Sequence, residues 1–505
     1  MAVDAGTTGV RAVVVDGTGA VVDQAYRALA SRFPRPGWVE QDPAEIWTAV
    51  RSVLAEVAGR LPDRGPVAAV GVANQRETVV AWDRRTGAAA GPAIVWQDRR
   101  TAARCDQLRD AGLLPEVRAR TGLVLDPYFS ATKMAWLLAG DGPARAIPAG
   151  RLALGTVDTW VVWNLTGGPD GGAFVTDTTN ACRTLLFDIG RLAWSDELCR
   201  LFGVPAAALA EVRPSCGRVG TVDPAAAGDA GHRLGGVPVS AVVGDQHAAL
   251  FGQACFGPGS AKVTYGTGSF VLVNAGPARP RDADGLLTTV AWDLGAHGGS
   301  RPPVDYALEG SAFSSGSALD WLANGLGVIA GPEEVGPLAG SVTDSGGLAV
   351  VPAFAGLGSP WWDPRARGTV TGITRGTGRA QLARAVVEAL AFEVRAMVDA
   401  MADATGRPVA ALRADGGAAV MDLLLQLQAD QVRATVARPR SVESTALGAA
   451  TMAGLAEGMW GSLDELAALW QLDAAFRPAV DGATADGHYA VWRRALDRAR
   501  GWAPD

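Results

Sequence analysis

The sequence predicts an α/β protein built from two similar domains with a cleft between them, and three observations carry that reading. The chain has 505 residues, too many for one compact core and enough for at least two domains of ordinary size. A strand-strand-strand-helix-strand order recurs in its two halves. Each copy also places a turn of glycine and hydroxyl residues after its first strand.

In the first half, "MAVDAG", "RAVVVDGTG" and "AVVDQAY" read as three strands joined by tight connections. "DPAEIWTAVRSVLAEVAGRL" follows as a helix, with Asp42 as N-cap, Pro43 at the first helical position, and Ile46, Val50, Val53, Leu54, Val57 and Leu61 on one face. "VAAVGVA" is then apolar enough for a buried strand, yet it runs into "NQRETVVAW" and so delivers Arg76 and Glu77 side by side. Buried charge is costly unless paired, so this couple must be an ion pair, solvated or occupied by a ligand. On this stretch alone the ion pair is the simplest reading.

In the second half, "SAKVTYG", "SFVLVNAG" and "GLLTTVAWDL" read as three strands, "GSALDWLANGLG" as a helix and "GLAVVPAF" as the next strand. "GVPVSAVVGDQHAALFGQ" lies between the copies, which puts Asp245 and Gln246 where the chain crosses from one domain to the other. The expected division is residues 1–248 and 249–505. "AQLARAVVEALAFEVRAMVDAMAD" and "MDLLLQLQADQVRATV" supply amphipathic helices to the second domain, and "DGHYAVWRRALDRARGW" reads as a last surface helix.

Composition narrows the function. A net charge of -7 without a cluster of basic residues lacks the electrostatic footprint for nucleic acid or anionic lipid, so small molecules are the expected partners. Lys133 and Lys262 are the only lysines, a bias toward arginine that, with the abundant alanine and glycine, reads as genomic base composition. Neither fits the phosphate-loop pattern GxxxxGK[ST], so any nucleotide is held another way. Cys105, Cys182, Cys199, Cys216 and Cys255 are scattered and form no CxxC, which argues against a disulfide framework or structural zinc. The four histidines form no HExxH and offer no clear base for a serine or cysteine nucleophile. No stretch has the length and apolarity of a membrane span and no signal peptide is evident, so a reducing compartment, the cytoplasm, is expected.

Three turns are suited to phosphate. "DAGTTGVR" brings Asp4, Gly6, Thr7, Thr8 and Arg11 to a strand-turn-strand, where glycine lets backbone N–H groups approach an anion, threonine adds donors and an aspartate can hold magnesium through water. "YGTGSF" repeats the device with Gly266, Thr267 and Gly268, and "ADGGAA" offers Asp415, Gly416 and Gly417 between a strand end and a helix start. Each alone reads as an ordinary turn. Three at corresponding places in a duplicated architecture are harder to read that way.

These features, together with "PGWVEQDPAEIW", "AIVWQDRRT", "LDPYFSATKMAW", "LGTVDTWVVWNLTGG", "VVGDQHAALFGQ", "VPAFAGLGSPWWDPRARG" and "STALGAA", resemble the FGGY carbohydrate kinases nearly end to end, most of all the members that phosphorylate glycerol. The resemblance implies duplicated actin-like, ribonuclease H-like domains and ATP-dependent phosphorylation of glycerol to sn-glycerol 3-phosphate. It assigns polyol contacts to Arg76, Glu77, Trp96, Tyr128, Asp245, Gln246 and Phe270, with Asp245 as general base. It also implies Mg2+ near Asp4, phosphates at Thr7, Thr8 and Gly266 to Gly268, and adenosine near Gly310 and the Asp415 to Gly417 turn. A homo-oligomer is expected on the same ground.

The sequence departs from that family at several positions. Ala5 replaces a usual glutamine in the first phosphate motif, and Met421 a usual asparagine near adenine, so a polar nucleotide contact is expected to be lost. Gly190 stands where some bacterial relatives carry a phosphorylatable histidine, and "GDAGHRLGG" lacks the pattern tied to fructose bisphosphate inhibition, so neither regulation is expected. "AWLLAG" lacks the usual polar residue at Ala139, with no functional effect expected. Only three residues precede Asp4, so the first strand is expected to be short or to begin upstream. Two other readings compete: a kinase of this fold for a tetritol or pentulose, and a nucleotide- and polyol-binding regulator without catalysis.

Overall fold

Short apolar runs punctuated by glycine turns build the first sheet. Ala2–Ala5 (β1), Gly9–Val15 (β2) and Val21–Ala28 (β3) form an antiparallel meander. Asp42 caps the helix Pro43–Arg60 (α1) by accepting from the Ala44 N–H at 2.8 Å, and Ile46, Val50, Val53, Leu54 and Val57 are buried beneath it. Val70–Asn74 (β4) lies parallel to β1, and all five of its residues are buried, as a central parallel strand requires. Cys216–Thr221 (β5) and Pro238–Gly244 (β6) complete a sheet ordered β5-β6-β4-β1-β2-β3. The computed structural model describes residues 1–61, 65–299 and 302–503.

Just past β4 the chain changes sheets. Val79–Asp83 belongs to a separate four-stranded sheet with Glu40–Gln41, Ala93–Ile94 and Leu152–Thr156. Arg76 and Glu77 therefore sit at the bend between two sheets, where side chains leave the regular ladder.

Asp245–Gly252 (α2) leads out of β6. Ala261–Tyr265 (β7), Ser269–Gly276 (β8), Leu287–Asp293 (β9), Val304–Ala312 (β10), Arg379–Thr405 (α3), Ala411–Asp415 (β11), Asp422–Val432 (α4), Thr435–Pro439 (β12), Ser444–Ala456 (α5), Leu472–Phe476 (β13) and Gly482–Ala499 (α6) follow. The second sheet is ordered β9-β10-β8-β7-β11-β12-β13. Its central five, β10-β8-β7-β11-β12, repeat the strand directions of β3-β2-β1-β4-β6. The expected duplication is present, with two strands reassigned.

The third strand of the second copy is β10, while the segment expected there, β9, is an added edge strand paired to it. Glu309 and Gly310 disguise β10 in the sequence, because a buried strand is not expected to carry a carboxylate. "GLAVVPAF" yields only Ala349–Val351, which pairs with Thr369–Thr371 outside the main sheet; Pro352 follows immediately and cannot donate to a ladder. The strand parallel to β7 is β11 instead. The expected helix at "GSALDWLANGLG" is short, Gly316–Asp320, and continues as a π-type turn over Trp321–Gly325. The expected surface helix α6 buries one face: Trp492 is enclosed and its indole N–H donates to the Val350 carbonyl at 2.9 Å.

α5 comes from the second half of the chain yet packs on α2 and on β4 and β6 of the first. The approach is close enough to require glycine. A Cβ on Gly448 would land on the Ala248 carbonyl, and one on Gly252 on the Ser444 carbonyl. Gly448→Ala should therefore lower unfolding stability by about 2 kcal/mol or more in urea titration, despite alanine's better helix propensity; a gain in stability would contradict this packing.

Candidate active site

Four charged side chains from both halves meet below the junction of the two sheets. Arg76 makes a two-pronged ion pair with Glu309 of β10, at 2.6 and 3.0 Å, across 233 residues of sequence. Arg183 donates to Glu77 at 2.8 Å and to Glu309 at 2.9 Å, so each carboxylate is shared or flanked by guanidinium. Arg76, Glu77, Arg183 and Glu309 are all essentially excluded from solvent. Burial pushes the Glu309 carboxyl up, but Arg183 and Arg76 outweigh it and hold it far below its ordinary value.

What this pairing leaves uncommitted lies beside Asp245. The Arg76 Nε–H lies 3.4 Å from Asp245 and 3.6 Å from Glu77, too far for a hydrogen bond to either. Glu77 accepts from Arg183 through Oε1, and no hydrogen bond to its Oε2 is found among the described residues. Asp245, the first residue of α2, accepts the Gln246 N–H at 2.7 Å and keeps 27% of its side chain exposed. Burial raises its carboxyl pKa, Arg76 opposes that and Glu77 adds to it.

An aromatic wall adjoins these groups. Trp96 meets Tyr128 edge to face at 5.4 Å and Phe270 at 6.3 Å, around a cavity of about 160 Å³ that Thr267, Gly268 and Phe313 also line. The Tyr128 hydroxyl accepts from Arg76 at 3.1 Å, and the Trp96 indole donates to the Thr7 hydroxyl at 2.8 Å. The first phosphate turn is thus tied to the wall of the cavity.

Beyond it opens a groove of about 990 Å³, bordered by Gly266, Thr267, Gly316, Gly417, Val420 and Met421. Gly416 has φ 88° and ψ 171°, a conformation left to glycine, and a Cβ there would sit 2.5 Å from the Tyr265 carbonyl. Asp415 accepts from Gln253 at 3.1 Å, which fixes this turn to the end of α2. Asp4 is half-buried with its enclosed Oδ1 unpartnered, and desolvation together with Asp245 pushes its carboxyl up to about 7.

Residues 1–252 match the N-terminal domain of the FGGY family of carbohydrate kinases, and residues 261–457 match its C-terminal domain. The chain belongs to this family. It is 50% identical over 507 residues to a glycerol kinase of Aromatoleum aromaticum, covering 99% of both chains. A glycerol kinase of Symbiobacterium thermophilum is 47% identical over 510 residues, covering 100% of this chain and 99% of the relative. The crystal structure of Plasmodium falciparum glycerol kinase with ADP superposes with a TM-score of 0.89 at 32% identity, over 98% of this chain and 97% of that one.

In this FGGY kinase Trp96, Tyr128 and Phe270 line the cavity, Arg76 bonds Tyr128 and lies near Glu77 and Asp245, and Gln246 bonds Asp245, while the nucleotide residues divide. Gly266, Thr267 and Gly417 line the groove; Gly310 does not, because it is paired within β10 with its Cα against Met397. Arg11 is committed to an ion pair with Glu443, beside the start of α5. Sequence reasoning missed Arg183 and Glu309, whose only signal was a charge inside an otherwise apolar stretch. It also passed over Lys133, which is buried and donates to the Pro127 and Tyr128 carbonyls at 3.0 and 2.6 Å.

Replacing Glu309 leaves two buried guanidiniums facing one carboxylate. Glu309→Gln is expected to cost about 3 kcal/mol of unfolding free energy at pH 7. Since the folded carboxyl is depressed from 4.5, its stabilisation is complete above that value and is lost as pH falls below it. The difference between wild type and variant in chemical denaturation should therefore shrink below pH 4.5; a gap independent of pH would contradict the ion-pair account.

Proposed function

We propose that the chain transfers the γ-phosphoryl group of ATP to a terminal hydroxyl of glycerol, giving sn-glycerol 3-phosphate and ADP. The observation that carries this reading is the convergence of Arg76 Nε–H, Glu77 and the Asp245 carboxylate next to Tyr128, which with Trp96 and Phe270 walls a cavity of about 160 Å³. Hydroxyls bind to the polar side and the carbon skeleton packs on the rings. A site of this kind discriminates against analogues that lack a hydroxyl, because its own polar atoms then stay unpaired.

Asp245 accepts the proton of the attacking hydroxyl as the oxygen moves in line toward phosphorus. A carboxyl raised by burial is a stronger base than one in water, and partial exposure gives it access to substrate. The turns at Thr7 and Thr8 and at Gly266 to Gly268 present N–H and hydroxyl groups to the phosphates. The unpartnered Asp4 oxygen fits a role in holding the Mg2+ of magnesium-ATP, which would neutralise phosphate charge. Adenosine is assigned to the groove near Gly416 and Gly417, where Met421 contributes a thioether in place of an amide. On this reading residues 1–248 carry most polyol contacts and part of the phosphate site, and residues 249–505 the nucleotide side.

ADP release from magnesium-ATP tests the assignment with glycerol, erythritol, D-xylulose, L-ribulose and no acceptor in parallel. Glycerol should give the fastest turnover, and Asp245→Asn should reduce it by about 10³-fold or more without loss of folding. Preference for a larger acceptor would sink the glycerol assignment, and ATP binding without any turnover would favour a regulator. Gly416→Ala should raise KM for ATP about tenfold while leaving KM for glycerol nearly unchanged, since backbone strain would fall on the nucleotide turn alone.

A further inference from the structure

We infer that Lys262 is a positioning residue for the acceptor site: it fixes the amide of Gln246 so that both amide N–H donors are presented to a substrate hydroxyl. The inference rests on the glycerol-phosphorylating reading above and names what sets the hydroxyl preference of that site.

The argument begins with hydrogen-bond roles. Lys262 projects from β7, is fully buried, and donates to Gln246 Oε1 and to the Thr264 hydroxyl, the latter at 2.8 Å. An ammonium can only donate, so the amide edge facing it must be the carbonyl. Rotation of the Gln246 amide by half a turn would set its NH2 against a cation. The other edge is thereby directed away from Lys262, and among the described residues nothing accepts from Gln246 Nε2. Gln246 follows Asp245 in the first turn of α2, and its backbone N–H is bonded to the Asp245 carboxylate, so the fixed amide stands beside the base.

Composition supplies a second, independent line. The chain has 45 basic residues of the lysine and arginine types, and only Lys133 and Lys262 are lysines. Both are buried: Lys133 donates to the carbonyl of Tyr128, which lines the cavity, and Lys262 to the amide of Gln246, whose backbone N–H bonds the Asp245 carboxylate. Against so strong an arginine bias, retention of a compact ammonium at these two places indicates that a planar guanidinium does not fit there.

Charges around Lys262 suit the same role. Asp415 of β11, Asp245 of α2 and Glu309 of β10 favour its cationic form, while Arg76 opposes it and Arg413 is its register neighbour on β11. Burial pushes the ammonium down to about 8. The donor role thus holds at neutral pH.

A double-mutant cycle tests the proposal with the full-length enzyme. kcat and KM are measured for glycerol, propane-1,2-diol and propane-1,3-diol in wild type, Lys262→Met, Gln246→Ala and the double variant, with ADP affinity measured in each. Lys262→Met is expected to lower kcat/KM for glycerol at least about tenfold and to narrow the glycerol-to-diol ratio as Gln246→Ala does. The double variant should be no worse than Gln246→Ala alone within about twofold, because the lysine acts through the amide. Losses that multiply, an unchanged diol ratio in Lys262→Met, or weakened ADP binding with glycerol kinetics intact would overturn the proposal. Should Lys262→Met not fold, Lys262→Gln replaces it in the cycle; if neither folds, the lysine is a structural cation and the proposal fails. Absence of glycerol turnover in wild type would instead defeat the function reading on which the cycle depends.

Discussion

The ion pair of Arg76 with Glu309 is the constraint on which the site depends. It joins the first half of the chain to the second in the interior, where water cannot substitute for either partner. Because Glu309 occupies the outward prongs of the guanidinium, only Nε–H of Arg76 is left near Asp245 and Glu77. Arg183 completes the arrangement by holding Glu77 through one carboxylate oxygen and leaving the other free. The polar atoms left beside Asp245 are thus those that a buried charge network does not consume.

The same economy governs the nucleotide side. α2 begins with Asp245 and ends beside Gln253, which holds Asp415 of the glycine turn and accepts from the Trp470 indole at 3.0 Å. One short helix therefore fixes both Asp245 and the turn that borders the groove. α5 packs against it through glycines, so the two halves approach each other closely along this helix pair.

Much of the fold was legible because its signals are local. Asp42 and Pro43 announce α1, and the all-apolar β4 announces a central strand. The errors came from elements whose identity is decided at long range. β10 carries Glu309, which makes sense in a strand only once Arg76 and Arg183 are opposite it. "GLAVVPAF" has strand composition but loses its ladder at Pro352. Of the residues assigned by resemblance, Trp96, Tyr128 and Phe270 line one cavity, whereas Gly310 lies inside β10 against Met397. Residues that act through others, such as Lys133, Lys262 and Arg183, leave no motif, because their role is defined by a partner distant in sequence.

The most direct measurement is a crystal structure of the chain with glycerol and ADP. The account predicts glycerol hydroxyls within about 3.2 Å of Arg76 Nε, Glu77 and Asp245, with the carbon chain between Trp96 and Phe270 and the Arg76 to Glu309 pair unbroken. Glycerol bound elsewhere, or an Arg76 that releases Glu309 to reach its ligand, would contradict it.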